Sequence, residues 1–339
     1  MRRAAATAAL ALVSYVAGCS PRPARALHLG DAPAAVAWGA AGAWIAVTDA
    51  RAPRLRLLSP DLRAHTLEAP WPADPRDGSV PFGESLAASG DAGEPLFAAG
   101  GFFPSYLGDS GEGRITVWNG DGRAVRELRA PAIVALGRLA FLPGRRLAAL
   151  VHVPIPGTDS DRHGAIYVWD LASGAGPDPW VFPRVGAVRD VDFDAAGRRV
   201  ALLAADGPYV ADVSSDGAAP PRALPLGGRA ADAIALSPDG STLAAGRADG
   251  VALLALAGPG AGSAPRRLAA GAFAALRFAP AGAPRLAALG GDGRLRVLAP
   301  DGGGARTIAH GVRAFAWSPD GSALATLVGH GRLAVWGAR

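Results

Sequence analysis

One short pattern recurs along the whole chain, and it constrains the fold more than any other feature. Two copies, at residues 235–244 and 316–325, share the core Ser-Pro-Asp-Gly-Ser. Degenerate copies of the same pattern are centred on Trp38, Ala88, Phe141, Phe193 and Phe278. The spacing is about 40 to 50 residues, a period at which each repeat is one supersecondary unit packed against its neighbours. The sequence therefore predicts seven similar units that bury a core together.

Each copy has the pattern of consecutive antiparallel strands. An alternating apolar strand runs into a Pro/Asp/Gly turn, where Pro presets φ and Gly accepts a positive φ. A second strand of small residues follows, then a short turn that ends in Gly, then a third strand. The predicted second-to-third turns are Glu112-Gly113, His163-Gly164, Asp206-Gly207, Asp249-Gly250, Asp292-Gly293 and His330-Gly331. The predicted third strands include residues 115–118, 166–169, 295–298 and 333–336.

The Ser-Pro-Asp-Gly turns, the Trp residues that end third strands and the dipeptide Trp169-Asp170 resemble the WD40 family. The resemblance covers residues 26–339 and implies an all-β fold, a single seven-bladed β-propeller of four-stranded antiparallel blades. An α/β fold is excluded because no stretch beyond the first residues keeps an apolar period of 3.6.

The end of the chain predicts how the ring closes. Trp336 ends a third strand and only three residues follow it, so the seventh blade lacks an outer strand. Arg25–Leu29 precedes the first repeat and is the natural donor of that strand. We expect it to pair with residues 332–336, which would also cover an exposed strand edge.

The first residues have the pattern of an export signal. Arg2 and Arg3 precede an apolar stretch over residues 4–17, which is too short to span a bilayer. The stretch ends in Val16-Ala17-Gly18-Cys19, which resembles the bacterial lipobox. The resemblance implies a signal peptide over residues 1–18, cut before a lipidated Cys19.

Cys19 is the only cysteine, so no disulfide forms within the chain. Residues 19–25 would form a short tether of ~20 Å at full extension. We therefore expect a protein anchored through lipid on the bacterial cell envelope and held close to the membrane. Ser20 resembles an outer-membrane sorting signal, so in a diderm host the protein would lie on the outer membrane, facing the periplasm or the surface.

Two second-to-third loops are longer than the others, and they belong to adjacent repeats. The first covers residues 101–111 and the second covers residues 152–162. Long loops on a rigid scaffold are frequent binding sites, and aromatic residues there anchor interfaces. The candidate partner-binding residues are Phe102, Phe103, Tyr106, Asp109, His152, Asp159, Asp161 and Arg162. An alternative remains open, in which the two loops pack on each other and cover blade edges.

The second loop also partly matches a calcium loop, with candidate ligands Asp159, Asp161, His163 and Asp170. Imidazole is a poor ligand for a hard cation, and His163-Gly164 and Asp170 already fit the turn and third strand of a blade. His152 and His163 with one of the two aspartates would instead suit a transition metal. We expect no metal and no cofactor.

Charge and composition narrow the function classes. The net charge is +5, the chain contains no Lys, and the arginines are scattered among acids rather than clustered. This distribution excludes a typical nucleic-acid binder. No nucleophile–base–acid set emerges. Asp190, Asp232 and Arg313 enter first strands and are expected to line the central funnel.

We therefore expect a monomeric, membrane-anchored scaffold that binds an envelope protein or peptide. The alternative is a propeller enzyme of lactonase, lyase or quinoprotein-dehydrogenase type, acting on a small molecule at the central channel. A third interpretation is an assembly factor or sensor of the outer membrane, by analogy with other lipid-anchored propellers.

Overall fold

A computed structural model gives the fold. It describes residues 22–30, 33–39, 44–49, 54–62, 67–70, 85–89, 94–103, 111–133, 135–154, 162–180, 182, 185–214, 217–226, 230–258, 260–329 and 331–338. Every regular element in these residues is a β-strand, and the strands form seven antiparallel sheets. None of the described segments is a helix long and apolar enough to cross a bilayer.

The strands are numbered in chain order, and the first is β1 (Arg25–His28). Blade 1 comprises β2 (Pro33–Trp38), β3 (Ile45–Asp49), β4 (Arg54–Leu58) and β5 (Leu67–Pro70). Blade 2 comprises β6 (Ser85–Ala88), β7 (Leu96–Phe103), β8 (Gly111–Asn119) and β9 (Ala124–Ile133). Blade 3 comprises β10 (Ala135–Leu142), β11 (Arg146–Pro154), β12 (Arg162–Asp170) and β13 (Asp178–Trp180).

Blade 4 comprises β14 (Val188–Phe193), β15 (Arg199–Ala204), β16 (Gly207–Ser214) and two short outer pieces, β17 (Gly217–Ala218) and β18 (Arg222–Ala223). Blade 5 comprises β19 (Ala233–Leu236), β20 (Thr242–Arg247), β21 (Gly250–Ala255) and β22 (Arg266–Ala270). Blade 6 comprises β23 (Phe273–Phe278), β24 (Leu286–Gly290), β25 (Leu295–Leu298) and β26 (Ala305–Ala309). Blade 7 comprises β27 (Val312–Trp317), β28 (Ala323–Val328) and β29 (Arg332–Gly337), and its outer strand is β1.

This arrangement confirms the predicted seven-bladed β-propeller. The predicted closure is also confirmed, because β1 pairs antiparallel with β29 over four residues, from Arg25 opposite Val335 to His28 opposite Arg332. The backbone N–H of Leu29 extends this pairing by donating to the carbonyl of Gly331 at 2.7 Å. The outer edge of blade 7 is thereby covered by the other end of the chain.

The core lies between blades. Seven clusters of buried apolar residues occur in the described chain, and each is shared by two neighbouring sheets. Small residues such as Ala46, Ala98 and Ala244 fill the inner strands, whereas large ones such as Trp118 fill the wider space between blades. One cluster joins blades 7 and 1 and includes Leu29, so the closing segment contributes to packing as well as to pairing.

The Ser-Pro-Asp-Gly turns are held by the same hydrogen bonds in blades 5 and 7. In blade 7 the Ser318 hydroxyl donates to Asp320 at 2.6 Å, and the backbone N–H of Ser322 donates to the same carboxylate at 3.0 Å. Gly321 follows with a φ of 68°, the left-handed conformation that favours glycine. These bonds close the turn from the first to the second strand, and an arginine of the preceding blade adds a hydrogen bond to the turn glycine: Arg199 donates to the Gly240 carbonyl at 2.7 Å and Arg285 to the Gly321 carbonyl at 2.8 Å.

Two of the predicted second-to-third turns are wrong. Glu112-Gly113 and His163-Gly164 lie inside strands, where Glu112 pairs with Phe103 and Gly164 pairs with His152. In other blades the Gly of this dipeptide marks the turn, whereas Gly113 and Gly164 lie in strands that extend to both sides of them. Both hairpins are therefore longer than their repeat pattern predicts.

Candidate functional site

The hairpins of blades 2 and 3 rise above the rest of the disc. In each of the other five blades, one residue of the second strand pairs with the last residue of the first strand. The second strand ends four residues beyond that partner. In β7 the corresponding length is six residues, from Phe97. In β11 it is seven residues from Leu147, the partner of Phe141, which is the residue equivalent to Phe193 in the repeat; β10 itself continues one residue further, to Leu142. At about 3.3 Å per residue the two hairpins extend ~7–10 Å further. We call the face that bears the second-to-third turns the upper face.

The raised hairpins carry four of the predicted partner-binding positions in their paired backbone. Phe102 and Phe103 end β7, opposite Gly113 and Glu112, and they lie where the hairpin leaves the disc. In blade 3, His152 pairs with Gly164 and Arg162 pairs with Pro154. The structure therefore places these positions on two adjacent projections of the upper face.

The tips of both hairpins, residues 104–110 and 155–161, lie outside the described residues. Tyr106, Asp109, Asp159 and Asp161 are in these tips, and Cys19 is likewise outside the described part of the chain. Their roles stay predictions.

Asp170 is the last of the candidate metal ligands, and backbone N–H groups of the following turn bind its carboxylate. Its carboxylate accepts hydrogen bonds from the backbone N–H groups of Ala172, at 2.8 Å, and Ser173, at 3.1 Å. The hydrogen bonds from Ser173 and Ala172 lower the pKa of Asp170. Asp170 thus closes the turn after β12, and the described residues contain no group of three or more His, Cys, Asp or Glu that could hold a metal ion.

The central channel opens on the upper face as a cavity of about 380 Å³. Its wall comes from the first strands, which run from the upper face toward the turns on the opposite, lower face. Five of these strands begin with a β-bulge, located at residues 33–35, 136–139, 188–190, 273–275 and 312–314. Bulges re-aim side chains, and the residues at or beside them line the cavity, among them Arg138, Asp190 and Arg313.

An ion cluster joins blades 3 and 4 in this channel. Arg138 donates through Nη2 to Asp190 at 2.6 Å and through Nη1 to Asp192 at 2.7 Å. The other carboxylate oxygen of Asp192 accepts the backbone N–H of Leu236 at 2.8 Å, which extends the network to blade 5. All three charged side chains are mostly buried, so these pairs are weakly screened by solvent.

Arg277 is a second, half-buried cation of the channel. Burial and the nearby positive charge of Arg138 lower the pKa of Arg277 to about 10, against the opposing attraction of Asp192 and Asp190. Its Nη1 donates to the carbonyl of Leu276 at 2.7 Å. Its own carbonyl accepts Trp317 Nε1 at 3.0 Å, which ties blade 6 to blade 7.

Sequence reasoning placed Asp190 and Arg313 at the channel, and both line it. The third residue predicted there, Asp232, is exposed and is not among the lining residues. The sequence analysis missed Arg138, Asp192 and Arg277, although the repeat pattern contains a signal for them. Superposing the seven repeats on Trp38, Ala88, Phe141, Phe193, Leu236, Phe278 and Trp317 gives two inward positions, one and three residues earlier. These positions hold Ala35, Ala37, Ser85, Ala87, Arg138, Ala140, Asp190, Asp192, Ala233, Ala235, Ala275, Arg277, Ala314 and Ala316. Apart from Ser85, every residue in this set that is not alanine belongs to the charged cluster.

A second cavity, of about 470 Å³, lies at the lower end of the channel. Aromatic residues at or next to the ends of first strands line it, together with Asp192: Trp38, Phe141, Phe193 and Trp317. Because Asp192 borders this cavity and its partner Arg138 borders the upper one, the ion cluster lies between the two.

The chain enters the propeller from the lower face. The Gly337 end of β29 lies beside the lower-face turn of blade 7, since the N–H of Ala338 donates to the carbonyl of Ser322 at 2.8 Å. β1 starts at that end, with Arg25 opposite Val335. The residues that precede β1 therefore leave from the face opposite to the raised hairpins.

Comparison with known proteins supports the architecture. A chain in the crystal structure of the mitotic checkpoint complex is similar over 100% of this chain and 99% of its own length, with a TM-score of 0.66 and 16% sequence identity. At that identity the likeness shows the fold alone, a WD40-like seven-bladed β-propeller. No family model matches the chain, and no curated protein matches it.

Proposed function

We propose that this protein is a lipid-anchored, extracytoplasmic scaffold that binds a protein or peptide partner of the cell envelope through its upper face. The observation that carries the proposal is the pair of raised hairpins on adjacent blades 2 and 3. Their strands are fully paired up to Phe103 and Pro154, so they hold their tips on rigid supports. Rigid presentation reduces the entropy that binding removes.

The path of the chain N-terminal to β1 supports the orientation. Residues 22–24 leave from the lower face, and an anchor at Cys19 would place the membrane on that side. The raised hairpins would then point away from the membrane, toward a partner. The tether would be about six residues long, which keeps the disc within ~20 Å of the surface.

The similar solved chain belongs to a multi-protein complex, the mitotic checkpoint complex. A propeller of the same architecture therefore takes part in protein assembly, which is the role we infer for this chain. A ring of seven blades offers a broad, stiff surface for contacts of the size that stable protein interfaces need, about 800 Å² per partner.

Brief crosslinking in native membranes, followed by affinity capture of the full chain, tests the binding surface. A variant replaces residues 102–111 and 153–162 with two-residue Asn-Gly turns, which suit tight hairpins. A matched control replaces residues 301–304, a turn of the lower face, in the same way. We expect one partner to be captured by the native protein and the control but lost from the hairpin variant.

Both variants are first compared with the native protein by circular dichroism and thermal unfolding, so that loss of capture is not loss of fold. Recovery of the same partner by the hairpin variant would show that the raised hairpins are structural. The anchor is tested separately by Cys19→Ala, which we expect to move the protein from the membrane fraction to the soluble fraction. Unchanged membrane association of that variant contradicts lipid anchoring at Cys19.

A further inference from the structure

The upper cavity contains more positive charge than its own acids neutralise. Among the described residues that line it, Arg138, Arg277 and Arg313 are basic and Asp190 is acidic. Asp192 adds a second carboxylate from below, and both carboxylates bind Arg138 directly. The cluster thus carries three positive and two negative charges, and its two acids face the same arginine.

Arg277 has no carboxylate within ion-pair distance in the described part of the structure. Its bonded acceptor is the neutral carbonyl of Leu276. A half-buried guanidinium stays protonated at neutral pH, so its charge must be held with incomplete solvation. The lowered pKa of Arg277 has the same cause, burial beside another cation.

Arg313 lines the same cavity from the bulge of β27 and is exposed. No ion pair to it occurs among the described residues. Two guanidinium groups that lack acidic partners therefore border one cavity. Guanidinium forks bind carboxylates through paired, charge-assisted hydrogen bonds, which are about twice as strong as neutral ones.

Apart from Ser85, the other side chains that line the cavity are apolar. Val36, Leu86, Leu139, Leu289 and Phe315 line it between the charged groups. A volume of about 380 Å³ is within the range of small-molecule sites. The site thus offers guanidinium groups together with apolar side chains, and its excess of one positive charge matches a singly charged group better than a doubly charged phosphate.

We propose that the upper channel cavity binds an organic monocarboxylate, with its carboxylate between Arg277 and Arg313 and its apolar part against Leu139 and Phe315. The carboxylate belongs either to a free small acid or to the C-terminus of a peptide. This site is independent of the raised hairpins and stands even if they bind nothing.

The purified full chain is titrated with 3-phenylpropionate, its neutral amide, inorganic phosphate, and one tetrapeptide with a free or an amidated C-terminus. Isothermal titration calorimetry and thermal unfolding report binding. We expect saturable binding of 3-phenylpropionate, and at least tenfold weaker binding of the amide and of phosphate. Tighter binding of the free-ended peptide than of 3-phenylpropionate assigns the carboxylate to a peptide terminus, and the reverse order assigns it to a small acid.

Variants locate the site. Arg277→Met should weaken binding of 3-phenylpropionate at least tenfold, Arg277→Lys should retain part of it, and Arg123→Met, an equal charge change on the exposed outside of blade 2, should leave it unchanged. Arg277→Met should also raise the Tm of the ligand-free protein, because it removes a buried charge that lacks an acidic partner.

Two results overturn the proposal. In the first, no carboxylate binds and Arg277→Met lowers the ligand-free Tm, which would mean that Arg277 is a satisfied structural residue. In the second, 3-phenylpropionate binds equally well to the native protein, to Arg277→Met and to Arg313→Met, which would place the ligand elsewhere.

Discussion

At the scale of single residues, two buried threonines differ in what their hydroxyl groups contribute to stability. Thr326 is fully buried, and its hydroxyl accepts the Trp336 Nε1–H at 2.8 Å. Thr116 is buried in blade 2, but its hydroxyl has no hydrogen-bond partner among the described residues. A buried polar group is costly without a partner and valuable with one.

The first prediction compares these two residues. Thr326→Val leaves the indole N–H of Trp336 buried without an acceptor, and it should lower the free energy of unfolding by about 1–3 kcal/mol. Thr116→Val removes an unsatisfied hydroxyl at nearly constant volume, so the free energy of unfolding should be unchanged or rise. Urea unfolding of both variants measures the difference. Equal losses in the two would mean that packing of the methyl groups, not hydrogen bonding, dominates.

The second prediction concerns pH. Hydrogen bonds from Ser318 and from Ser322 lower the pKa of Asp320 to about 2. The unfolded value is about 3.9, so the ionised carboxylate stabilises the fold above about pH 4. That contribution is lost as the pH falls through the folded-state pKa.

Asp320→Ala should therefore lower the Tm at pH 7, and the difference from the native protein should shrink between about pH 4 and pH 2. Thermal unfolding over this pH range measures it. Asp121→Ala, at an exposed position, serves as the control and should show little change. A difference that stays constant down to pH 2 would show that the carboxylate charge has no part in holding the turn.

At the scale of elements, the sequence predicted the strands well because each repeat combines an alternating strand with a Pro/Asp/Gly turn. The first strands that contain Phe141, Phe193 and Phe278 at or next to their ends were found in this way. The predicted turns at Glu112-Gly113 and His163-Gly164 failed because glycine also fits a strand. Only pairing across the hairpin distinguishes the two cases, and a single sequence does not contain it.

The candidate site was predicted less completely than the strands, for a similar reason. The channel residues Arg138, Asp192 and Arg277 come from blades 3, 4 and 6, and more than 50 residues separate each from the next along the chain. Each looks like a surface charge when it is examined alone. They become a cluster only when the first strands are arranged around one axis, and the β-bulges that aim them leave no clear trace in the sequence.

The third prediction concerns the turn that precedes the closing strand pair. Gly331 has a φ of 87°, and a Cβ atom there would overlap the carbonyl oxygen of Gly30. Gly329 in the same turn also has a positive φ, 54°, but a Cβ atom there meets nothing within 4 Å. Alanine substitutions at the two positions therefore distinguish the cost of a positive φ from the cost of a clash with the closing segment.

Gly329→Ala should cost about 1–3 kcal/mol, the usual penalty for a positive φ. Gly331→Ala should cost more, because Leu29 must also move away from its bond to the Gly331 carbonyl. Hydrogen exchange of the β1 amides should accelerate in Gly331→Ala and stay close to native in Gly329→Ala. Equal exchange in the two variants would mean that the closing segment tolerates displacement.

At the scale of the whole molecule, stability depends on a closed ring. Seven interblade clusters form a cycle in the described structure, and the cluster between blades 7 and 1 depends on both ends of the chain. An open ring would expose the outer edge of β29 and part of that cluster.

The fourth prediction tests this closure by comparing a chain that begins at residue 22 with one that begins at residue 30. The shorter chain loses β1 and Leu29, so its Tm should fall and it should self-associate through the exposed edge of β29. Light scattering after size-exclusion chromatography, with a thermal scan, measures both effects. A monomeric shorter chain with native Tm would show that closure by β1 is dispensable.

The closing strand also determines how the molecule responds to mechanical force. A pull on residues 22–24 acts along β1, parallel to its pairing with β29, so the four residue pairs resist together in shear rather than opening one at a time. At the other six interfaces between neighbouring blades, the two sheets follow each other directly in the chain. The pull reaches those interfaces only after the pairing of β1 with β29 breaks. Force on the N-terminus would therefore open the propeller at one predetermined seam, and the unfolding rate of that seam would set how long the whole disc withstands tension.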